Sequence, residues 1–113
     1  MASSLEDIDR LDRLVHEPAR LVILTALASC ASADFVFLQR VTRLTNGNLS
    51  AHLSKLSEAG LVAIEKRFIA KKPNTLVAIT FKGTHAVEEH WSRLEQLRAS
   101  ARDLTPHTAK PRR

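Results

Sequence analysis

Apolar residues recur along this chain at two different periods, and the places where the period changes divide it into elements. Leu5, Ile8, Leu11 and Val15 are spaced three and four apart, behind a Ser4-x-x-Asp7 start that is a weak capping-box variant. They predict a short amphipathic helix over Ser4–Val15. Pro18 suits the first turn of a second helix, where its missing N–H would be unpaired anyway, and Ala19–Ser29 is almost continuously apolar. This is the expected buried central helix. Small and polar residues interrupt the pattern over Ser29–Asp34, and a short helix is expected at about Val36–Arg43.

A turn at Leu44-Thr45-Asn46-Gly47 precedes the most informative segment, with Thr45 or Asn46 available as helix N-cap. Leu49, Leu53, Leu56 and Gly60 fall at i, i+4, i+7 and i+11, so the three leucines form one narrow stripe and Gly60 occupies the position where glycine ends helices. Asn48, Ala51, His52 and Lys55 gather on the other side. Leu61–Phe68 and Thr75–Ile79 then mix β-branched and charged residues in partial alternation and predict a hairpin. A basic loop, Ile69-Ala70-Lys71-Lys72-Pro73-Asn74, is expected to join its strands. Thr80 can cap a last helix, on which Phe81, Val87, Trp91, Leu94 and Ala101 approximate a three-four repeat. The tail after Arg102 has no periodicity and reads as a disordered basic segment over 103–113.

Helix, helix, turn, helix, basic hairpin, helix is the order of a winged helix-turn-helix domain. The expected fold is therefore α+β, mainly helical with a two- or three-stranded wing, occupying residues 1–102. The strings HEPARLVILTAL, DFVFLQRVTRLTNGNLSAHLSKLSEAGLVAIEKRF and KKPNTLVAITFKG resemble winged-helix transcriptional regulators of the MarR/ArsR type over about residues 16–90. The resemblance implies a homodimer whose helix at Asn46–Glu58 enters the DNA major groove, while the hairpin tip at Ile69–Asn74 lies near the backbone or minor groove. By the same analogy a small-molecule effector is possible, although no residue identifies one.

Charge placement agrees with that reading. The 113 residues carry a net +5, but residues 1–38 sum to −3, residues 39–75 to +5 and residues 76–113 to +3. The basic middle third coincides with the helix and hairpin expected to meet a polyanion. On the helix, Asn46 and Asn48 have the amide chemistry that pairs with adenine edges. His52 can donate or accept, and Lys55 reaches either guanine or phosphate. Gly47 and Ala51 permit close approach, and Ser50 and Ser54 either bind phosphate oxygens or face solvent. Asn46 also has the duller role of a helix cap. Lys66, Arg67, Lys71 and Lys72 suit phosphate neutralisation, which gives affinity and salt dependence rather than sequence choice.

Composition narrows the alternatives. No apolar run reaches the roughly 18 residues of a membrane span, and the start MASSLEDIDRLDRL lacks the basic-then-apolar order of a signal peptide, so a cytoplasmic protein is expected. Cys30 is the single cysteine and reads as a small buried hydrophobe. His85 and His90 lie five apart and diverge by about 140° on a helix, so neither a metal site nor any cofactor is expected. No nucleophile, base and orienting group occur in a recognised arrangement, which argues against an enzyme. Leu5, Ile8, Val87, Trp91 and Leu94 are the expected dimer interface. The competing reading is a winged helix that binds a protein partner, its basic surface incidental.

Overall fold

A computed structural model describes the backbone of residues 5–103 and the side chains of residues 10–103. The elements run α1 (Leu5–His16), α2 (Pro18–Cys30), β1 (Ser32–Asp34), α3 (Phe35–Thr42), α4 (Asn46–Glu58), β2 (Val62–Ile69), β3 (Lys72–Ile79) and α5 (Phe81–Asp103). This is the winged helix-turn-helix fold of the expected α+β class.

Helices α2, α3 and α4 each start where the sequence supplies an acceptor. Glu17, rather than a smaller residue, caps α2 by accepting from the Arg20 backbone N–H at 2.9 Å, and Pro18 follows it as anticipated. Asp34 caps α3 through Phe37 N–H at 2.8 Å. Thr45, not Asn46, caps α4 through Asn48 N–H at 3.1 Å. Such caps satisfy backbone donors that the helix itself leaves unpaired.

The sheet order is β1-β3-β2, antiparallel throughout. β1 was not expected from the sequence, because Ser32-Ala33-Asp34 is three small or polar residues without alternation. It forms because β3 offers a free edge, pairing Ser32 with Ala78 and Asp34 with Leu76. The hairpin is also tighter than its sequence suggests: Lys72, Pro73 and Asn74 belong to β3, paired with Ile69, Phe68 and Arg67. Only Ala70 and Lys71 turn the chain, both with positive φ (52° and 68°). That is the left-handed pair which matches the strands' twist in a two-residue turn.

The core lies between α2 and the elements around it. Ile23, Leu24 and Leu27 of α2 are fully buried with Leu38 of α3, Leu49 and Leu56 of α4, Leu61, and Val77 of β3. Cys30 lies outside this core; it ends α2 at the surface, which corrects its expected burial.

Two close-fitting features fix the outer helices. Gly83, in the first turn of α5, packs so tightly on the chain entering β2 that a Cβ there would lie 2.1 Å from the Leu61 carbonyl oxygen. Two turns further along α5 His90 is buried, with Nδ1 2.6 Å from Asp12 Oδ1 and Nε2 2.9 Å from His16 Nδ1. Arg93 also donates to Asp12, at 2.7 Å. Thus α1 is held to α5 by a polar cluster rather than by apolar packing alone.

Two outcomes are expected. Gly83→Ala should lower unfolding stability by about 1–3 kcal/mol, since its new methyl meets backbone that cannot move aside without disturbing β2; an unchanged denaturation midpoint would show that the contact yields freely. Burial raises the Asp12 pKa, but hydrogen bonds from His90 and Arg93 and their charges outweigh it, leaving the carboxyl below its ordinary value. The stability it confers is therefore complete above about pH 5 and fades as pH falls through the ordinary carboxylate value of about 4 and on through the lower folded one. Denaturation followed by circular dichroism should show wild type losing more stability between about pH 5 and 3 than Asp12→Asn does; matching profiles would remove the effect.

Candidate nucleic-acid interface

The turn between α3 and α4 is set by Arg43, whose left-handed φ of 60° closes α3 while its N–H bonds the Gln39 carbonyl. Gln39 then reaches across the turn, donating through Nε2 to the Leu44 carbonyl at 3.3 Å and to Asn46 Oδ1. These bonds orient α4 before its side chains are considered.

Along α4 the leucine stripe is buried, as its spacing required: Leu49, Leu53 and Leu56 all enter the core. The opposite side presents Asn46, Gly47, Asn48, Ser50, Ala51, Ser54 and Lys55 to solvent. Asn48, Ala51 and Lys55 lie at i, i+3 and i+7, on one line along the helix. A Cβ on Gly47 would meet nothing within 4 Å, so this surface is open as well as small. No acidic residue occupies the first turn of α4, leaving the positive end of its dipole uncompensated there.

His52 departs from the expectation. Its ring leans away from the open face, with Nδ1 3.2 Å from an Arg20 guanidinium nitrogen and 4.0 Å from Glu17 Oε1. Arg20 is itself held by the Leu14 carbonyl at 2.7 Å. The histidine therefore joins α4 to the start of α2. Neither Glu17 nor Arg20 was legible as its partner, because both lie more than 30 residues away and carry no motif.

On the wing, Lys66, Lys71 and Lys72 are exposed, whereas Arg67 is partly buried and donates through Nε to Asn74 Oδ1 at 2.9 Å across the strands. Arg43 adds an exposed cation in the turn before α4. The motif did not single it out, although its charge was visible.

The expected dimer residues divide. Leu5 and Ile8 lie outside the residues whose side chains are described. Val87 is only 1% exposed and packs in the chain's own core, so it has no surface left for a partner. Trp91 rests on α2, donating from Nε1 to Thr25 Oγ1 at 3.0 Å, yet remains 43% exposed. Leu94 is half-buried, and Leu97, absent from the expected set, is 66% exposed.

A family model for the winged helix DNA-binding domain matches residues 19–98. The chain belongs to this family. The winged helix domain is 33% identical over 85 residues to an uncharacterized protein of Methanocaldococcus jannaschii, spanning 75% of this chain and 92% of that one. It is similar to a transcriptional regulator homologue from Pyrococcus horikoshii, at 33% identity and a TM-score of 0.75, with 86% of this chain and 95% of that chain covered. It also shares its fold with BpsR of Bordetella bronchiseptica, whose DNA binding is regulated by 6-hydroxynicotinic acid. That likeness has 19% identity and a TM-score of 0.61, over 92% of this chain and 85% of that chain. Regulators of the ArsR and PadR families share the fold as well. The resemblance noted from the sequence strings therefore holds at the level of fold, and the family is that of a DNA-binding domain rather than of an enzyme. No helix among the described residues is long and apolar enough to cross a membrane.

Proposed function

We propose that this winged helix domain is a sequence-specific DNA-binding transcriptional regulator that acts as a homodimer. The observation that carries the reading is the two-sidedness of α4, whose leucines are sealed in the core while its outward line of Asn48, Ala51 and Lys55 is small, polar and open. A major groove about 12 Å wide accepts one such helix. In this reading Asn46, Gly47, Asn48, Ser50, Ala51 and Lys55 face base edges and nearby phosphates. His52 keeps the helix on α2 and acts on the groove through that placement. Lys66, Lys71 and Lys72 neutralise phosphates, and Arg67 stiffens the hairpin that carries them.

The dimer rests on α5. At 23 residues it is about 35 Å long, and its buried residues end at His90. Trp91, Leu94 and Leu97 follow at three-residue spacing and supply an apolar line that a second copy covers. Two copies then present two α4 helices to a palindromic site, with half-sites about one helical turn apart. A small molecule lodged between α5 and the DNA-binding core would act as effector, as the regulation of BpsR by 6-hydroxynicotinic acid suggests by analogy.

Selection of duplexes from a random pool tests the reading directly: enriched palindromes with a fixed half-site spacing are expected. Binding should weaken steeply between about 50 and 200 mM salt, and replacing Lys71 and Lys72 together by Ala should flatten the log–log salt slope by about two. Absence of duplex binding at low salt would favour a protein-binding module instead. Light scattering at micromolar concentration should return twice the 12.6 kDa chain mass, with Leu97→Glu shifted to monomer; a monomeric wild type would remove the homodimer.

A further inference from the structure

The wing carries an apolar feature that phosphate neutralisation does not require. Along β2, Val62, Ile64, Lys66 and Phe68 point to one side of the ribbon, opposite Ile79, Val77, Thr75 and Pro73 on β3. Val62 and Val77 are buried in the core, and Ile64 and Ile79 pack against it, so this is the side of the sheet on which α4 lies. Four residues beyond Ile64 the same side has run past the body of the domain. There Phe68 is 75% exposed, directly across from Pro73, with Ile69 beside it 51% exposed.

Nothing among the described residues explains an apolar tip at this place. A phenylalanine contributes to stability by leaving water, and here most of its surface stays wet. The tip is also firmly built. Its two-residue left-handed turn and the Arg67–Asn74 hydrogen bond hold the strands together to their ends. Four cations, Lys66, Arg67, Lys71 and Lys72, lie within four positions of Phe68, against the single acid Glu65. An apolar point set among cations, on the same side of the sheet as the helix assigned to the major groove, complements one surface in particular. A DNA minor groove is about 6 Å wide: too narrow for a two-stranded ribbon, but open to a side chain at its tip.

We propose that Phe68, backed by Pro73, is a wedge that enters the minor groove beside the α4 site and partly unstacks one base step, so that binding bends the DNA. The proposal rests on the reading of α4 as the major-groove helix. Apolar wedges of this kind bend duplexes by about 20–90° away from the side they enter. Pyrimidine–purine steps unstack most easily, so the wing would select such a step with no hydrogen bond to a base. Specificity would then arise at a position that α4 never touches.

The test uses the full chain and a duplex selected by it, with dyes at the two ends reporting bend by energy transfer and 2-aminopurine reporting unstacking beneath the wing. Wild type should shorten the end-to-end distance and raise 2-aminopurine fluorescence. Phe68→Ala should lose both signals and bind about ten- to a hundredfold more weakly, with the salt slope unchanged because no charge is removed. Phe68→Leu, still a wedge, should retain most of the bend, and circular dichroism on both variants confirms that the hairpin is intact. A straight wild-type complex, or a Phe68→Ala complex bent as much as wild type, overturns the wedge and leaves the DNA-binding reading standing. Binding to anionic phosphatidylserine vesicles through Phe68, with no duplex bound at low salt, overturns both.

Discussion

The fold turns on one crowded seam, where the end of α4, the start of β2, the end of β3 and the start of α5 meet. Gly60 takes a φ of 78° that L side chains rarely adopt, letting the chain leave α4 sharply. Thr80 then serves three parts at once: its hydroxyl donates to the Gly60 carbonyl at 2.6 Å, accepts from Gly83 N–H at 3.0 Å, and its own N–H bonds the Leu61 carbonyl at 3.1 Å. Gly83 closes the gap by having no side chain. A hydroxyl and two glycines thereby set helix, wing and terminal helix at fixed angles, and the outward faces depend on those angles.

Where local chemistry decided the outcome, it could be read in advance. The leucine stripe of α4, the glycine at its end, Pro18 in the first turn of α2 and the capping bond of Thr80 to Gly83 are each set within one or two turns of chain, so spacing was enough; the bonds of Thr80 to Gly60 and Leu61 were not readable in that way. Residues whose partners lie far along the chain were less readable. β1 exists because β3 has an edge to offer, and His52 turns because Arg20 waits across a tertiary contact. Val87 sits on the core side of α5, a fact that an approximate three-four repeat does not resolve, since residues one or two positions away fit the same repeat. Cys30 ended an apolar run and looked buried, but the last turn of α2 emerges from the core.

The candidate site divides in the same way. That α4 and the wing would carry the polar and basic residues was plain from composition and order. How those residues are engaged was not: Asn46 is touched by Gln39, Arg67 by Asn74 and His52 by Arg20, and each contact crosses between elements. Pairing of this kind turns a set of available side chains into a smaller set of free ones. It also moves attention to Lys55, Lys71, Lys72 and the apolar tip between the wing cations.

The clamp of Asp12, His16 and His90 has a mechanical consequence. It grips α5 at His90, and the seam grips the same helix at Gly83, two supports seven residues and so about 10 Å apart. Past Trp91, Arg93 and Leu94, which still touch the body of the domain, the last nine residues of α5 (95–103) are exposed and extend like the free arm of a beam fixed at two bearings. A load applied to that arm does not bend a loosely held strand of chain; it tilts the bearings together. Because one bearing is also the anchor of the wing and of the end of α4, movement at the far end of α5 reaches both outward surfaces as a rotation of one solid piece.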